Sequence, residues 1–273
     1  MLILGIDASG HTASTALLED GVVLAEYSLN IGLTHSQTLL PMVAEIFSRT
    51  GKKVTELSAI AVSAGPGSFT GLRIGAATAK GIALPYAIPL VSVSTLEALA
   101  ANASDRESIV HPIMDARRQQ VYTGAFRNGK LLGEEEAISV EELCKKVNAT
   151  PGRHLFLGDA VPVYKETLEK LLNVDYGFVS PQNLLQHAAS IAVLGAEKFA
   201  HGEGVPGDAF RLSYIRAPQA ERERAREGLR EYDITHEHPD EVKKEVREGL
   251  LAAQNYEIRP ETSYEDANVP ENL

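Results

Sequence analysis

The stretch Ala64–Gly81, AGPGSFTGLRIGAATAKG, constrains this chain more than any other. It follows Leu57–Ser63 (LSAIAVS), a short β-branched apolar run that reads as a buried strand. Gly65, Pro66 and Gly67 break that strand, and Ser68 or Thr70 can cap the helix that follows. Strand, glycine loop and helix N-terminus together can hold an anion, since unpaired amides and the helix dipole both favour negative charge. Two familiar loops are excluded. A Walker A loop ends in Gly-Lys-Ser/Thr, whereas Gly71 is followed by Leu72 and Arg73; a dinucleotide fingerprint needs a glycine where Thr70 stands. The same helix places Gly71, Gly75, Ala79 and Ala83 at four-residue intervals on one face. Such a stripe without bulk fits either the chain's own sheet or a helix from a partner.

With 273 residues the chain is long enough for one large domain or two ordinary ones, and 44% hydrophobic content supplies a core. One cysteine, Cys144, excludes an internal disulfide framework and suits a reducing compartment. The net charge of −11 argues against broad unaided nucleic-acid binding. No apolar run approaches membrane-spanning length, and MLILGIDAS enters a strand without a basic leader, so a cytoplasmic protein is expected.

Taken in order, Leu2–Ile6 is a strand ending at Asp7, and Ala13–Leu18 and Val22–Ser28 complete an antiparallel meander. His35–Thr50 reads as a helix closed by Gly51, and its apolar positions, Leu39, Met42 and Ile46 among them, cover more than half the circumference. The excess implies covering on two sides. Ile88–Ser94 is a strand, and Thr95–Asn102 a helix capped by Ser94. The second half repeats the order: Ile109–Asp115, then Gln120–Arg127 and Lys130–Ile138 turned at Asn128-Gly129, a helix over 139–148, a strand at His154–Leu157, a helix at Val163–Leu172, a strand at Val174–Val179 and a long helix over Pro181–Phe199. The expected class is a duplicated α/β fold of the actin-like kind. Its subdomains span 1–104 and 105–217, the helix 181–199 packs back on the first, and 218–273 is a charged extension, helical or disordered.

Chemistry-bearing patterns are few. Asp7 and Asp115 each end a first strand and, with Ser9, Gly65 and Gly67, are the residues placed to face a nucleotide or phosphate. The competing reading is that these aspartates only accept amides of their own turns. No His-x-x-x-His, cysteine pair or serine elbow occurs, so no catalytic residue and no metal ligand set is assigned.

The segments LILGIDAS, THSQTLLP, AVSAGPGSFTGLRIGAATAKGIA, PLVSVSTLEALA, MDARRQQVYTGAF, FLGDA and LSYIRAP resemble the bacterial TsaB (YeaZ) family over residues 1–218. The resemblance implies a non-catalytic relative of TsaD within the acetate-kinase, sugar-kinase, Hsp70 and actin fold group. It implies pairing with TsaD, work with the ATPase TsaE, and transfer of threonylcarbamoyl to the adenosine beside the anticodon. Transfer RNA is met only through the complex. No intrinsic cofactor is implied, and ATP or ADP is a candidate ligand at the complex interface. The pairing helices correspond to 35–50 and 70–84, which makes Leu39, Met42, Ile46, Gly71, Gly75, Ala79 and Ala83 the expected contact residues. A homodimer is expected when TsaD is absent. Where catalytic relatives carry metal-binding histidines, this chain has Thr95 and Leu99. A small-molecule kinase and a metallopeptidase are the alternatives, the second disfavoured by that substitution.

Overall fold

The computed structural model describes residues 1–32 and 34–216; the charged extension read over 218–273 lies outside the described residues. The first sheet contains β1 (Leu2–Asp7), β2 (Ala13–Glu19), β3 (Val22–Leu29), β4 (Ala59–Gly65) and β5 (Leu90–Ser94) in the order β3-β2-β1-β4-β5. The first three strands pair antiparallel, and β4 and β5 add parallel on the other side of β1. Helices α1 (His35–Thr50), α2 (Phe69–Ala83) and α3 (Thr95–Ala101) follow β3, β4 and β5.

The second half uses β6 (Ile109–Asp115), β7 (Gln120–Thr123), β8 (Phe126–Arg127), β9 (Lys130–Leu131), β10 (Glu136–Ser139), β11 (His154–Leu157) and β12 (Tyr176–Phe178), with α4 (Val140–Asn148), α5 (Val161–Leu171) and α6 (Ala188–Ala200). Its main order, β10-β7-β6-β11-β12, repeats the first sheet strand for strand, and the β8–β9 hairpin is the insertion that breaks the symmetry. Asn128 and Gly129 both take positive φ in that hairpin, as a type I′ turn requires. The two long strands expected over 120–138 are therefore four. Gly124 and Ala125 interrupt the first of them, and Phe126 resumes the pairing with β6 at Val110 in the same register.

Each sheet receives the last helix of the other half. Residues Ile191, Ala192 and Ala196 of α6 pack on Ile3, Ala61, Val91 and Val93 of the first sheet. Residues Leu96, Leu99 and Ala100 of α3 pack on Val110, Met114 and Leu157 of the second. The contact with α6 is close enough to exclude side chains. A Cβ on Gly5 would lie 2.4 Å from the Ala188 carbonyl, and one on Gly195 would lie 2.2 Å from Ala61 Cβ.

The opposite face of the first sheet carries α1 and α2, and here the small stripe finds its use. Gly75 faces Ala8 and Ile6, where an added Cβ would come to 3.3 Å of Ala8 Cβ, and a Cβ on Gly71 would fall 2.0 Å from the Ala8 carbonyl. Ala79, Ala83, Leu39, Met42 and Ile46 are all buried in the same cluster. These seven residues belong to the chain's own core, which corrects their expected role as partner contacts. The reason is proximity: small residues let α2 lie almost on the backbone of the β1 turn.

The expected helix over 181–199 is also corrected. Pro181–Asn183 forms one 3-10 turn, and His187 is extended (φ −127°, ψ 123°) before α6 begins. That break lets the first strands cap α6 from outside. Ser14 Oγ accepts the Ala188 N–H at 3.0 Å, Glu26 Oε1 accepts the Ala189 N–H at 2.9 Å, and His187 Nδ1 lies 3.3 Å from Glu26 Oε2. A carboxylate at a helix N-terminus also meets the favourable end of the dipole. Burial would lift the Glu26 carboxyl, but the hydrogen bonds from His187 and Ala189 outweigh it and hold the group below its ordinary value. The same bond to Glu26 raises His187. The lowered Glu26 contributes stability above about 4.5, the raised His187 contributes below about 6.5, and both act between these limits. Replacing Glu26 by Ala is expected to cost about 1–3 kcal/mol. Urea unfolding across pH will show the largest loss between those limits, and a pH-independent loss would contradict the ion-pair account.

Candidate functional site

The carboxyl ends of β1, β4, β6 and β11 carry the polar residues singled out in the sequence, with Asp159 two residues beyond β11. Asp7 closes β1, and its Oδ1 accepts both the Ser9 N–H at 2.8 Å and the Ser9 hydroxyl at 2.6 Å. Aspartate and serine are both buried, and Asp7 Oδ2 has no hydrogen-bond partner among the described residues. Burial therefore pushes the Asp7 carboxyl upward, with the Ser9 bonds offsetting part of the shift. His35 Nε2, at the start of α1, donates to the Gly10 carbonyl at 2.9 Å and steadies the turn from the other side.

The glycine loop is filled from within the chain. The Ser9 carbonyl accepts the Ser68 N–H at 2.7 Å, and a Cβ on Gly67 would meet that carbonyl at 2.4 Å. Ser68 Oγ accepts the Gly71 N–H at 3.2 Å and caps α2. At Gly65 (φ +123°) a Cβ would fall 2.1 Å from the Ser213 carbonyl, and the Ser213 N–H donates to Ala64 O at 2.8 Å. Residues near 210–214 thus lie across the strand end, joined to α2 by Lys80 Nζ donating to the Phe210 carbonyl at 3.2 Å and by the Phe69–Tyr214 ring contact at 5.4 Å. The side-chain directions of Gly65 and Gly67 are thus closed by the chain itself. Their glycine identity answers the close approach of two carbonyls.

Asp115 stands at the matching end of β6. Its Oδ1 accepts the Arg117 N–H at 2.9 Å, the Arg117 guanidinium lies 3.5 Å from Oδ2, and its own N–H donates to Asp159 Oδ1 at 3.1 Å. Arg117, Arg118 and Gln119 all have φ between 55° and 63°, a run of left-handed residues without glycine. Each such residue stores roughly 1 kcal/mol or more of strain. Asp7 and Asp115 share no hydrogen bond; each serves its own turn. Between the halves sits buried Gln186, packed so tightly on Gly10 that a Cβ there would lie 2.4 Å from its Nε2.

Asp159 and Gln186 are residues that the sequence reading missed. Asp159 is half-buried, and loss of water around it raises its carboxyl above the ordinary value. It follows β11 as Asp7 and Asp115 end β1 and β6, so strand-end position was the signal that could have found it. Gln186 carries no such signal, because its place depends on the break before α6. Thr95 and Leu99 are both buried on α3.

The outer faces of α1 and α2 differ from this polar centre. Leu40, Pro41 and Ala44 on α1, and Ala77 and Gly81 on α2, are exposed, and Leu84 and Tyr86 continue the surface just beyond α2. Leu84 is 83% exposed and Leu40 56%, values that leave large aliphatic groups in water. A Cβ on Gly81 would meet nothing within 4 Å. No helix of the described residues is long and apolar enough to cross a membrane.

A family model described as TsaD, tRNA N6-adenosine threonylcarbamoyltransferase, matches residues 29–199. The chain is 35% identical over 232 residues to the tRNA threonylcarbamoyladenosine biosynthesis protein TsaB of Bacillus subtilis, covering 82% of this chain and all of that protein. It is 32% identical to the Escherichia coli protein of the same name, covering 79% and 95% of the two chains. The solved structure of YeaZ from Pseudomonas aeruginosa superposes with a TM-score of 0.66 at 30% identity, covering 78% of this chain and 99% of that one.

Because Asp7 resists ionisation in the folded chain, the unfolded chain loses its proton first as pH rises. Folded protein then holds the extra proton, and stability falls with pH above the ordinary value of 3.8. Asp7→Asn cannot titrate. Denaturation midpoints of the two proteins compared from about pH 3 to about pH 7 should show wild type losing ground to Asp7→Asn. Wild type gaining ground over that range would refute the buried-carboxyl assignment.

Proposed function

Since this chain belongs to the TsaB (YeaZ) family and has its duplicated actin-like fold, we propose that it works in tRNA threonylcarbamoyladenosine biosynthesis as the partner subunit of TsaD. The observation that carries this reading is the contrast between the two candidate surfaces. The chain's own Ser213 and Ser9 carbonyls lie against Gly65 and Gly67 of the glycine loop, while α1 and α2 turn a mostly uncharged, partly apolar surface to solvent. Gln37, Leu40, Pro41, Ala44 and Ser48 line the outer side of α1 at helical spacing, and Thr70, Ala77, Gly81 and Leu84 line that of α2 and its end. Arg73 alone brings charge to the stripe, and its guanidinium lies over the Phe69 ring at 3.8 Å. Small residues at Ala44, Ala77 and Gly81 allow partner helices to approach closely.

The pairing surface is thus the outward face of the same two helices that the sequence selected, one side round from the buried stripe. TsaE and tRNA join through the assembled complex, and ATP or ADP is assigned to the junction with TsaD because the chain's own loop is filled. The same surface pairs two copies of this chain when TsaD is absent. The subunit itself supplies position rather than chemistry: Asp7 is held by its turn, and the α3 register carries Thr95 and Leu99.

Two substitutions separate this surface from the core. Ala77→Arg and Gly81→Arg face open solvent, so the thermal midpoint should stay within a few degrees of wild type. Together they are expected to abolish the one-to-one complex with the TsaD of the same organism, read by size-exclusion chromatography with light scattering. Gly75→Leu, in contrast, should destabilise the free chain by about 1–3 kcal/mol through overpacking against Ala8. An intact complex with both arginines present would exclude this face.

A further inference from the structure

The second sheet carries a cavity that none of these roles uses. It has a volume of about 420 Å³ and lies between the odd-numbered side of β6, the β7–β10 pair and α4. Ile138, Leu143, Val147 and Leu132 form apolar walls. A space of this size is within the range of small-molecule sites. Two buried polar side chains also belong to its lining, His111 and Thr123. They share one face of the sheet, because Ile113 pairs with Thr123 and His111 lies two residues from Ile113.

The hydrogen bonds determine what His111 offers. His154 Nε2 lies 3.0 Å from the Thr150 carbonyl, which can only accept, so that nitrogen carries a proton. In the uncharged ring His154 Nδ1 is then a bare acceptor, and His111 Nε2 donates to it at 2.9 Å. The proton on His111 is thereby fixed at Nε2, leaving Nδ1 an unprotonated acceptor with no hydrogen-bond partner among the described residues. The ring cannot easily turn away. It stacks on Phe156 at 5.2 Å and on His154 at 5.2 Å. Burial pushes the His111 imidazolium down to about 3, with the neighbouring His154 acting in the same direction, so the acceptor persists at neutral pH.

Thr123 adds the second polar group, a hydroxyl that is buried without a hydrogen-bond partner among the described residues. A buried hydroxyl left unpaired is unfavourable, and a ligand able to reach it would recover that loss. The charged groups at the cavity are Glu134, Glu136 and Lys146, and Lys146 Nζ is bound by both Glu136 oxygens at 2.6 and 2.7 Å. What is left over is one carboxylate, which disfavours anions.

We propose that this cavity binds a small uncharged heterocycle, which donates an N–H to His111 Nδ1 and uses an adjacent carbonyl to meet the Thr123 hydroxyl. The apolar walls take the ring faces, and the donor–acceptor edge supplies orientation. The site is independent of the α1–α2 surface, so failure of one assignment leaves the other standing.

The test uses the full chain, isotope-labelled, titrated with 2-pyridone and with N-methyl-2-pyridone while amide shifts are followed. The expected result is millimolar binding of 2-pyridone, with shifts centred on His111, Thr123 and Val147, and binding of the N-methyl compound weakened about fivefold or more. Thr123→Val, which keeps shape and removes the hydroxyl, should weaken 2-pyridone by about 3–10-fold. Equal binding of the two compounds would overturn the proposal, as would shifts located elsewhere or no response at about 20 mM. His111→Phe is a further variant. Because it strips His154 of its donor and can unfold the chain, the methylation comparison on wild type decides the matter.

Discussion

Helix α6 lies against β1 and β4 at a distance that side chains would forbid, with Gly5 beneath the Ala188 carbonyl and Gly195 on Ala61. The first sheet is buried on both faces only because this helix, from the far end of the described chain, closes one of them. Strands such as Ile3–Gly5 and Ala59–Ala61 are apolar on both sides for this reason, as buried parallel strands are. Long-range closure also explains the caps. The N-terminus of α6 has no side-chain cap of its own and takes Ser14 and Glu26 from the meander instead. A glutamate on the third strand thus ties one half of the duplication to the other.

The exchange of α3 and α6 between the sheets joins the two halves into one body, and it governs what became of the strand-end centre. In a fold of this kind the ends of the first strands of both halves point toward a shared space. Here Gln186 fills the approach beside Gly10, the Ser9 carbonyl fills the glycine loop, and the chain near Ser213 crosses the end of β4. The Ser9 carbonyl also takes up the Ser68 N–H, one of the amides that an anion would need. The polar residues remain because the turns depend on them: Asp7 holds Ser9, and Asp115 holds Arg117 in a left-handed run.

Much of the architecture was legible in advance. The meander, the strand-end aspartates, the Ser68 and Ser94 caps and the Asn128-Gly129 turn all rest on local rules of propensity, capping and turn chemistry. Less was legible of the site. Helical spacing identifies which residues share a face but not what that face meets, so Gly71, Gly75, Ala79 and Ala83 fit a partner or a core equally well until Ala8 is seen beneath them. The break at 184–187 escaped for a similar reason. Apolar periodicity continues through it, and the forces that interrupt it come from Glu26, about 160 residues earlier in the chain.

By itself the sequence determined the duplicated order of strands and helices and the family, because each is written in neighbouring residues. Only the tertiary structure decided which side of α1 and α2 is free, which carbonyls lie against the glycine loop, and that His111 and Thr123 share one wall of a cavity. Those outcomes depend on contacts between segments far apart in the chain. A linear pattern can specify the faces that must be covered, but it does not contain the distances that say what covers them.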